Sequence, residues 1–223
     1  MIRAATAWLM CAALAACAPL PPVATGVVEA SRGEIPVGVV WWPAGEADFH
    51  GALGSEMEAC VTARIREVAP EIAVTPQRAV RDALYPLLEP ATQPATEAAF
   101  AALLAREDVR RRLATRGLRY LVAVAGGTRE AELRGLVLCG AGYGGGGCLG
   151  YAWQDETTAL QAVLWTLDGA TVARREGATV EGTFVMPAFV LPIPIPARTQ
   201  AEACRELGGR LAAAIREASG GWP

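Results

Sequence analysis

The chain has 223 residues, of which 52% are hydrophobic and 19% charged, and its formal net charge is −3. The length fits one ordinary domain, and the composition excludes a disordered chain. The charge balance gives no indication of nucleic-acid binding.

The N-terminus has the organisation of a secretion signal. Arg3 supplies a positive charge, and residues 4–16 form an apolar run that is too short for a permanent membrane-spanning helix. The run ends in Leu14-Ala15-Ala16-Cys17, which resembles the lipobox of bacterial lipoproteins. An ordinary cleaved signal with a chance cysteine is the alternative.

The lipobox resemblance implies a division of the chain. Residues 1–16 would be a signal peptide, 17–34 a lipidated N-terminus and flexible tether, and 35–219 a single domain. Cys17 would carry acyl groups such as palmitate, and several acyl chains hold a protein at a bilayer far better than one does. Ala18 stands where an Asp would imply retention in the inner membrane, so the resemblance implies the periplasmic face of the outer membrane.

Four cysteines remain after the signal peptide and Cys17 are set aside. An even number in an oxidising compartment predicts disulfides, and we favour Cys139–Cys148 and Cys60–Cys204 among the three ways of forming two pairs. A metal site is the competing interpretation. The chain has no C-x-x-C sequence and a single histidine, His50, so we expect no metal.

Hydrophobic periodicity predicts the elements of the first half in chain order. The first predicted helix ends before Pro70, and the second has Thr75 as N-cap and Pro76 at its first position. The strand from Tyr120 is apolar on both faces, which predicts that both faces are covered. The predicted elements are a strand at 35–42, a helix at 53–69, a strand at 72–74, helices at 76–85, 96–105 and 108–116, and a strand at 120–125.

The second half is richer in strand signals. A strand is predicted from Thr128 toward Cys139, and Asp168-Gly169 joins two alternating segments, 157–167 and 170–184, into a hairpin. Prolines in segment 186–196 favour an extended, polyproline-like form. The last helix opens at Thr199 with a capping box completed by Glu202.

This order of elements predicts an α/β (α+β) domain with a mixed β-sheet packed by helices. Together with the lipobox, it resembles the N-terminal domain of the Tol-system periplasmic protein. It is also similar to the body of the curli-secretion lipoprotein and of lipoprotein activators of cell-wall synthases. The resemblance implies an envelope protein of this fold type.

The segment from Cys139 to Gly150 is unusually rich in glycine. It contains a literal G-x-G-x-x-G, but turn residues rather than a helix follow, and we therefore expect no nucleotide or other cofactor. One interpretation is a flexible loop held by its own disulfide. The other is a contact loop with Tyr143, Tyr151 and Trp153 as aromatic anchors.

Segment 186–196 is the second interaction candidate. Its apolar side chains would mark a partner site if exposed, whereas the alternative is burial at the edge of the core. The candidates are Phe189, Leu191, Ile193 and Ile195, with Val190 between them.

The sequence offers no convincing catalytic set. Asp48, His50 and Ser55 fall within one short stretch, and no G-x-S-x-G occurs. Asp155 and Glu156 could form a glycosidase pair, but solvated acids are the commoner explanation. We therefore predict no catalytic residues.

The sequence-based hypothesis is a non-catalytic envelope lipoprotein that binds partners or assists assembly. Its expected partners are the membrane, through the N-terminal lipid, and envelope proteins, with no nucleic acid and no prediction of oligomeric state. One alternative is a subunit of an oligomeric outer-membrane secretion pore that donates the hairpin around Asp168-Gly169 to a barrel. An envelope hydrolase is the least supported alternative.

Overall fold

A computed structural model of the chain describes residues 33–42, 53–89, 91–142 and 145–220. The predicted signal peptide, Cys17, most of the tether, His50 and Tyr143 lie outside these ranges. The strands are β1 (Ile35–Trp41), β2 (Ile72–Thr75), β3 (Tyr120–Glu130), β4 (Arg134–Gly142), β5 (Gly145–Thr166) and β6 (Thr171–Ala188). The helices are α1 (Leu53–Val68), α2 (Gln77–Leu84), α3 (Glu97–Ala105), α4 (Glu107–Ala114) and α5 (Thr199–Ala218).

The six strands form one mixed sheet in the order β2-β1-β3-β5-β4, with β6 paired to β5. β1 is parallel to both β2 and β3, whereas β5 is antiparallel to β3, β4 and β6. β6 occupies one edge of β5, so β3 and β4 share the other: β3 pairs with Glu156–Thr166 and β4 with Gly145–Trp153. The predicted α/β class, with a mixed sheet packed by helices, is confirmed.

Helices cover both faces of the sheet around β3. Successive residues of β3 point to opposite faces, which is why the run from Tyr120 to Ala125 is apolar throughout. One core lies under α1 and α5 and the other under α2, α3 and α4, where the ring of Phe100 stacks on that of Trp165 with centroids 5.0 Å apart. The largest buried side chains of the first core are Ile65, Leu160, Leu164, Leu207, Leu211 and Ile215, and those of the second are Leu84, Phe100, Leu104, Leu113, Leu121 and Trp165.

A disulfide between Cys60 and Cys204 joins α1 to α5, as the sequence favoured, with Cα atoms 6.2 Å apart and a sequence separation of 144. The helices also approach closely at Gly208, where an added Cβ would lie 2.8 Å from the side chain of Arg64. Among the described helices, none has both the length and the apolar character needed to cross a bilayer.

Two predicted helix caps are wrong, although the last helix does begin at Thr199. Thr75 is the last residue of β2, and Pro76 takes the N-cap position of α2 without a side-chain cap. At α5 the N-cap is Arg198, with a left-handed φ of 58°, so Thr199 is the first helical residue. The Thr199 hydroxyl accepts a hydrogen bond from Thr158 at 2.9 Å, a tertiary contact that replaces the capping box.

The predicted strand from Thr128 to Cys139 is two strands, and the predicted glycine loop is paired structure. β3 ends at Glu130 and β4 begins at Arg134. Gly140 lies opposite Gly147 in the ladder that joins β4 to β5. Glycines carry no side chains from which an alternating pattern could be read, so a strand pair rich in them resembles a loop in sequence.

The Cys60–Cys204 disulfide closes most of the folded chain into one loop, and we expect it to stabilise the protein strongly. The double variant Cys60→Ala/Cys204→Ala should lower the free energy of unfolding by about 2–5 kcal/mol, because the unfolded chain gains entropy. Urea denaturation followed by circular dichroism measures this loss. Cys139→Ala/Cys148→Ala, which opens a loop with a sequence separation of 9, is the matched control and should cost about 2 kcal/mol less. Equal losses would contradict this account.

Candidate functional site

The most distinctive surface is a projection of the sheet, which we call the arm. It consists of β4, the first part of β5 (Gly145–Trp153), the end of β6 (Val185–Ala188) and the segment 189–195 that follows β6. This last segment turns back beside β6, where the backbones of Val185 and Ile195 exchange two hydrogen bonds. The arm is therefore four chain segments wide.

One face of the arm carries large apolar side chains without cover. The register places Leu136 opposite Tyr151 and Leu138 opposite Leu149, so that all four lie on one face. The Ile193 amide donates to the Pro187 carbonyl, which places Ile193 on this face as well. These side chains are 48–69% exposed, and we call them the bare face: Leu136, Leu138, Leu149, Tyr151, Ile193 and Ile195.

The bare face exists because one helical layer ends before the sheet does. Val163 and Trp165, on the same face of β5, are buried under α2, α3 and α4. Between these helices and the arm lies a cavity of about 670 Å³, whose floor includes Ala125, Gly127 and Ala159. Glu97, at the start of α3, forms one wall of this cavity and makes a salt bridge with Arg175 of β6. Beyond the cavity, none of the described helices lies above the apolar residues of the arm.

Two glycines in the strands of the arm adopt backbone conformations that other residues avoid. Gly135 has φ of 90° and Gly150 has φ of 145°, in the region that favours glycine. An added Cβ would strike the carbonyl oxygen of Tyr151 at Gly135 and that of Leu136 at Gly150. The conformation therefore requires glycine at both positions, which gives part of the glycine-rich sequence a structural purpose.

A disulfide fixes the hairpin of the arm. Cys139 and Cys148 are register partners with Cα atoms 4.0 Å apart, and they form the second pair that the sequence favoured. The Cys148 amide donates to the carbonyl of Val190, which ties the chain after β6 to the hairpin. The arm thus holds its apolar side chains in one arrangement rather than on a loose loop.

The structure brings the two separate interaction candidates of the sequence together in the arm. Tyr151 and Trp153 contact each other, with ring centroids 5.6 Å apart. The alternative that segment 189–195 is buried is wrong, because its large apolar side chains are 48–79% exposed. The residues placed in the arm are Tyr151, Trp153, Phe189, Val190, Leu191, Ile193 and Ile195.

Three residues of the bare face escaped the sequence analysis: Leu136, Leu138 and Leu149. The alternation in Gly135–Cys139, with leucine at every second position, was the available signal for a strand with an apolar face.

The suggested carboxylate pair does not assemble. Asp155 and Glu156 are neighbours in β5, so their side chains point to opposite faces of the sheet. The Asp155 carboxylate accepts a hydrogen bond from the Thr183 hydroxyl at 3.0 Å. Glu156 instead faces Glu130 across the ladder, at the start of α5. No group of three or more potential metal-binding side chains occurs within the described ranges.

Glu156 ends a chain of hydroxyl groups. Thr128, Thr158 and Thr199 are linked by hydrogen bonds of 2.8 and 2.9 Å, and Thr199 bonds the Glu156 carboxylate. Burial and the neighbouring Glu130 charge raise the pKa of Glu156, although the Thr199 hydrogen bond opposes this. This polar network links the sheet to the start of α5.

The raised pKa predicts a pH-dependent stability difference. Above the ordinary pKa of 4.5 the unfolded chain releases the Glu156 proton more readily than the folded protein does. Wild type should therefore lose stability relative to Glu156→Gln as pH rises from about 4 to 7. Denaturation curves at several pH values measure this difference. Glu132→Gln, at an exposed position, controls for the lost charge, and identical pH slopes for wild type and Glu156→Gln would refute the assignment.

No known protein family and no curated protein matches the chain. The similar solved structures include the PelC dodecamer from Paraburkholderia phytofirmans, at 11% identity over 83% of this chain and 89% of that one, with a TM-score of 0.38. They also include lipoprotein GNA1162 from Neisseria meningitidis, at 10% identity over 83% and 98%, with a TM-score of 0.38. The hypothetical protein CT253 from Chlamydia trachomatis matches at 9% identity over 82% and 98%, with a TM-score of 0.41. These are distant likenesses of fold.

Proposed function

We propose that this protein is a non-catalytic lipoprotein of the cell envelope that docks onto another envelope component through its arm, as a binding or assembly factor. The observation that carries the proposal is the bare face. Large apolar side chains held in contact with water are unfavourable, and contiguous patches of them mark interaction sites.

The construction of the arm supports a docking role. The Cys139–Cys148 disulfide and the hydrogen bonds to segment 189–195 hold the apolar side chains in place before any partner arrives. A surface that is ordered in advance loses less conformational entropy on binding than a flexible loop does.

The envelope location rests on the N-terminal sequence. Cleavage before Cys17 and acylation of that residue would hold the folded body close to a bilayer, at the periplasmic face of the outer membrane. Two disulfides suit an oxidising compartment of this kind.

The two alternative functions, a subunit of a secretion pore and an envelope hydrolase, gain less support. The hairpin around Asp168-Gly169 joins strand ends that lie in both cores, where Leu164 and Trp165 are fully buried, so donating it to a barrel would unfold the body. A hydrolase would need its acids on one side of a substrate, whereas Asp155 and Glu156 face apart.

The proposal predicts that polar groups on the bare face abolish function without unfolding the protein. The double variant Leu138→Asn/Leu149→Asn removes two exposed apolar side chains from the centre of the face and creates no cavity. It should leave the denaturation midpoint nearly unchanged but fail to complement a strain that lacks the gene. Complementation and circular dichroism of the purified protein measure the two effects.

Three companion variants separate the parts of the proposal. Glu156→Ala should complement, because no catalysis is involved. Tyr85→Asn, at an exposed aromatic residue outside the arm, should also complement. Cys17→Ser should lose the acyl groups that mass spectrometry detects on the N-terminal peptide of wild type. An arm variant that complements fully, or a Glu156→Ala variant that is folded but inactive, would contradict the proposal.

A further inference from the structure

We infer that the envelope component onto which the bare face docks is the surface of a lipid bilayer. This inference rests on the proposed function, because it names the chemistry of the partner that the arm contacts. It adds a second membrane contact to the predicted lipid at Cys17, and this contact is made by protein side chains.

Charge is nearly absent from the arm, where Arg134, at the start of β4, is the one charged residue in the sequence of its segments. No charged residue occurs between Arg134 and Asp155, nor between Glu181 and Arg198. These two stretches supply the strands and the segment of the arm. Charged side chains are costly in hydrocarbon, so this distribution suits contact with lipid.

The described residues of the arm also offer few side-chain hydrogen-bonding groups. Among the described residues on this side of the arm, the side-chain groups available to a partner are the phenol of Tyr151, the indole of Trp153 and, at the base of the arm, the guanidinium of Arg134. A typical protein–protein interface carries about ten direct hydrogen bonds and a polar rim. Acyl chains neither offer nor require hydrogen bonds, and the bare face matches them more closely than it matches a protein surface.

The position of the aromatic pair Tyr151 and Trp153 also suits contact with lipid. Tyr151 and Trp153 stand where the apolar arm meets the charged body, and Trp153 lies opposite Arg134 in the ladder. Tyrosine and tryptophan are enriched at membrane–water boundaries because their rings combine an apolar body with a polar group. An arginine beside them can reach lipid phosphate while its aliphatic stem remains on apolar surface.

The dimensions of the face fit contact at the bilayer surface rather than passage across it. Four chain segments spaced by about 4.8 Å give a face roughly 14 Å wide. Apolar side chains that enter the boundary between headgroups and acyl chains reach about 5–10 Å into it. The backbone then stays at headgroup level, where water satisfies the unpaired outer edge of β4.

Photo-cross-linking of the full chain in its own envelope tests the inference. Leu149→p-benzoylphenylalanine places the probe on the bare face, and Tyr85→p-benzoylphenylalanine is the matched control at an exposed aromatic residue of the body. After irradiation, mass spectrometry of the labelled peptides should find phospholipid adducts at position 149. Their yield should exceed that at position 85 roughly tenfold or more, as for a side chain buried in lipid against one in water.

A second measurement checks whether the lipid adduct depends on the bare face. The full chain reconstituted in vesicles of phosphatidylethanolamine and phosphatidylglycerol should give the same adduct, and Leu138→Asn should reduce its yield several-fold without changing the circular dichroism spectrum. An adduct with a second copy of this chain, or with another protein, would overturn the inference and leave the proposed function standing. Equal lipid yields at positions 149 and 85 would also overturn it. If position 149 gave neither lipid nor protein adducts above the yield at position 85, both the inference and the proposed function would be overturned.

Discussion

The uneven helical cover of one long sheet is the constraint on which the rest of the structure depends. β5 has 22 residues, so it runs through the hydrophobic cores and continues well beyond them. On one face, α1 and α5 pack together and are joined by a disulfide across 144 residues of sequence. On the other face, α2, α3 and α4 end at the cavity beside Glu97. The same strand is therefore core at Trp165 and bare at Leu149.

This division separates the stability of the protein from its proposed activity. The buried half contains the apolar side chains that drive folding, and the hydroxyl chain from Thr128 to Glu156 links the sheet to α5. The arm contributes little burial, since its large side chains remain in contact with water. It is held instead by ladder hydrogen bonds and by the Cys139–Cys148 disulfide. Changes on the bare face can therefore alter docking while the core stays intact.

The sequence predicted what local patterns encode and missed what tertiary contacts decide. The run from Tyr120 to Ala125 indicated that helices cover both faces, and the even number of cysteines predicted disulfides, which the structure contains in the favoured pairing. The capping box at Thr199 failed because a hydroxyl from a distant strand competes for that side chain. Exposure of segment 189–195 could not be read from sequence, because it depends on where an unrelated helical layer ends.

Hydroxyl-radical footprinting tests whether the bare face is open to water, as it is among the described segments of the chain. The full chain, as a Cys17→Ser variant in lipid-free buffer at a concentration where it is monomeric, is oxidised briefly and digested for mass spectrometry. Leu138, Leu149 and Ile193 should be oxidised to an extent that matches their exposure, far more than the buried Leu164. Protection of the three residues to the level of Leu164 would show that another segment covers the face and would contradict the account.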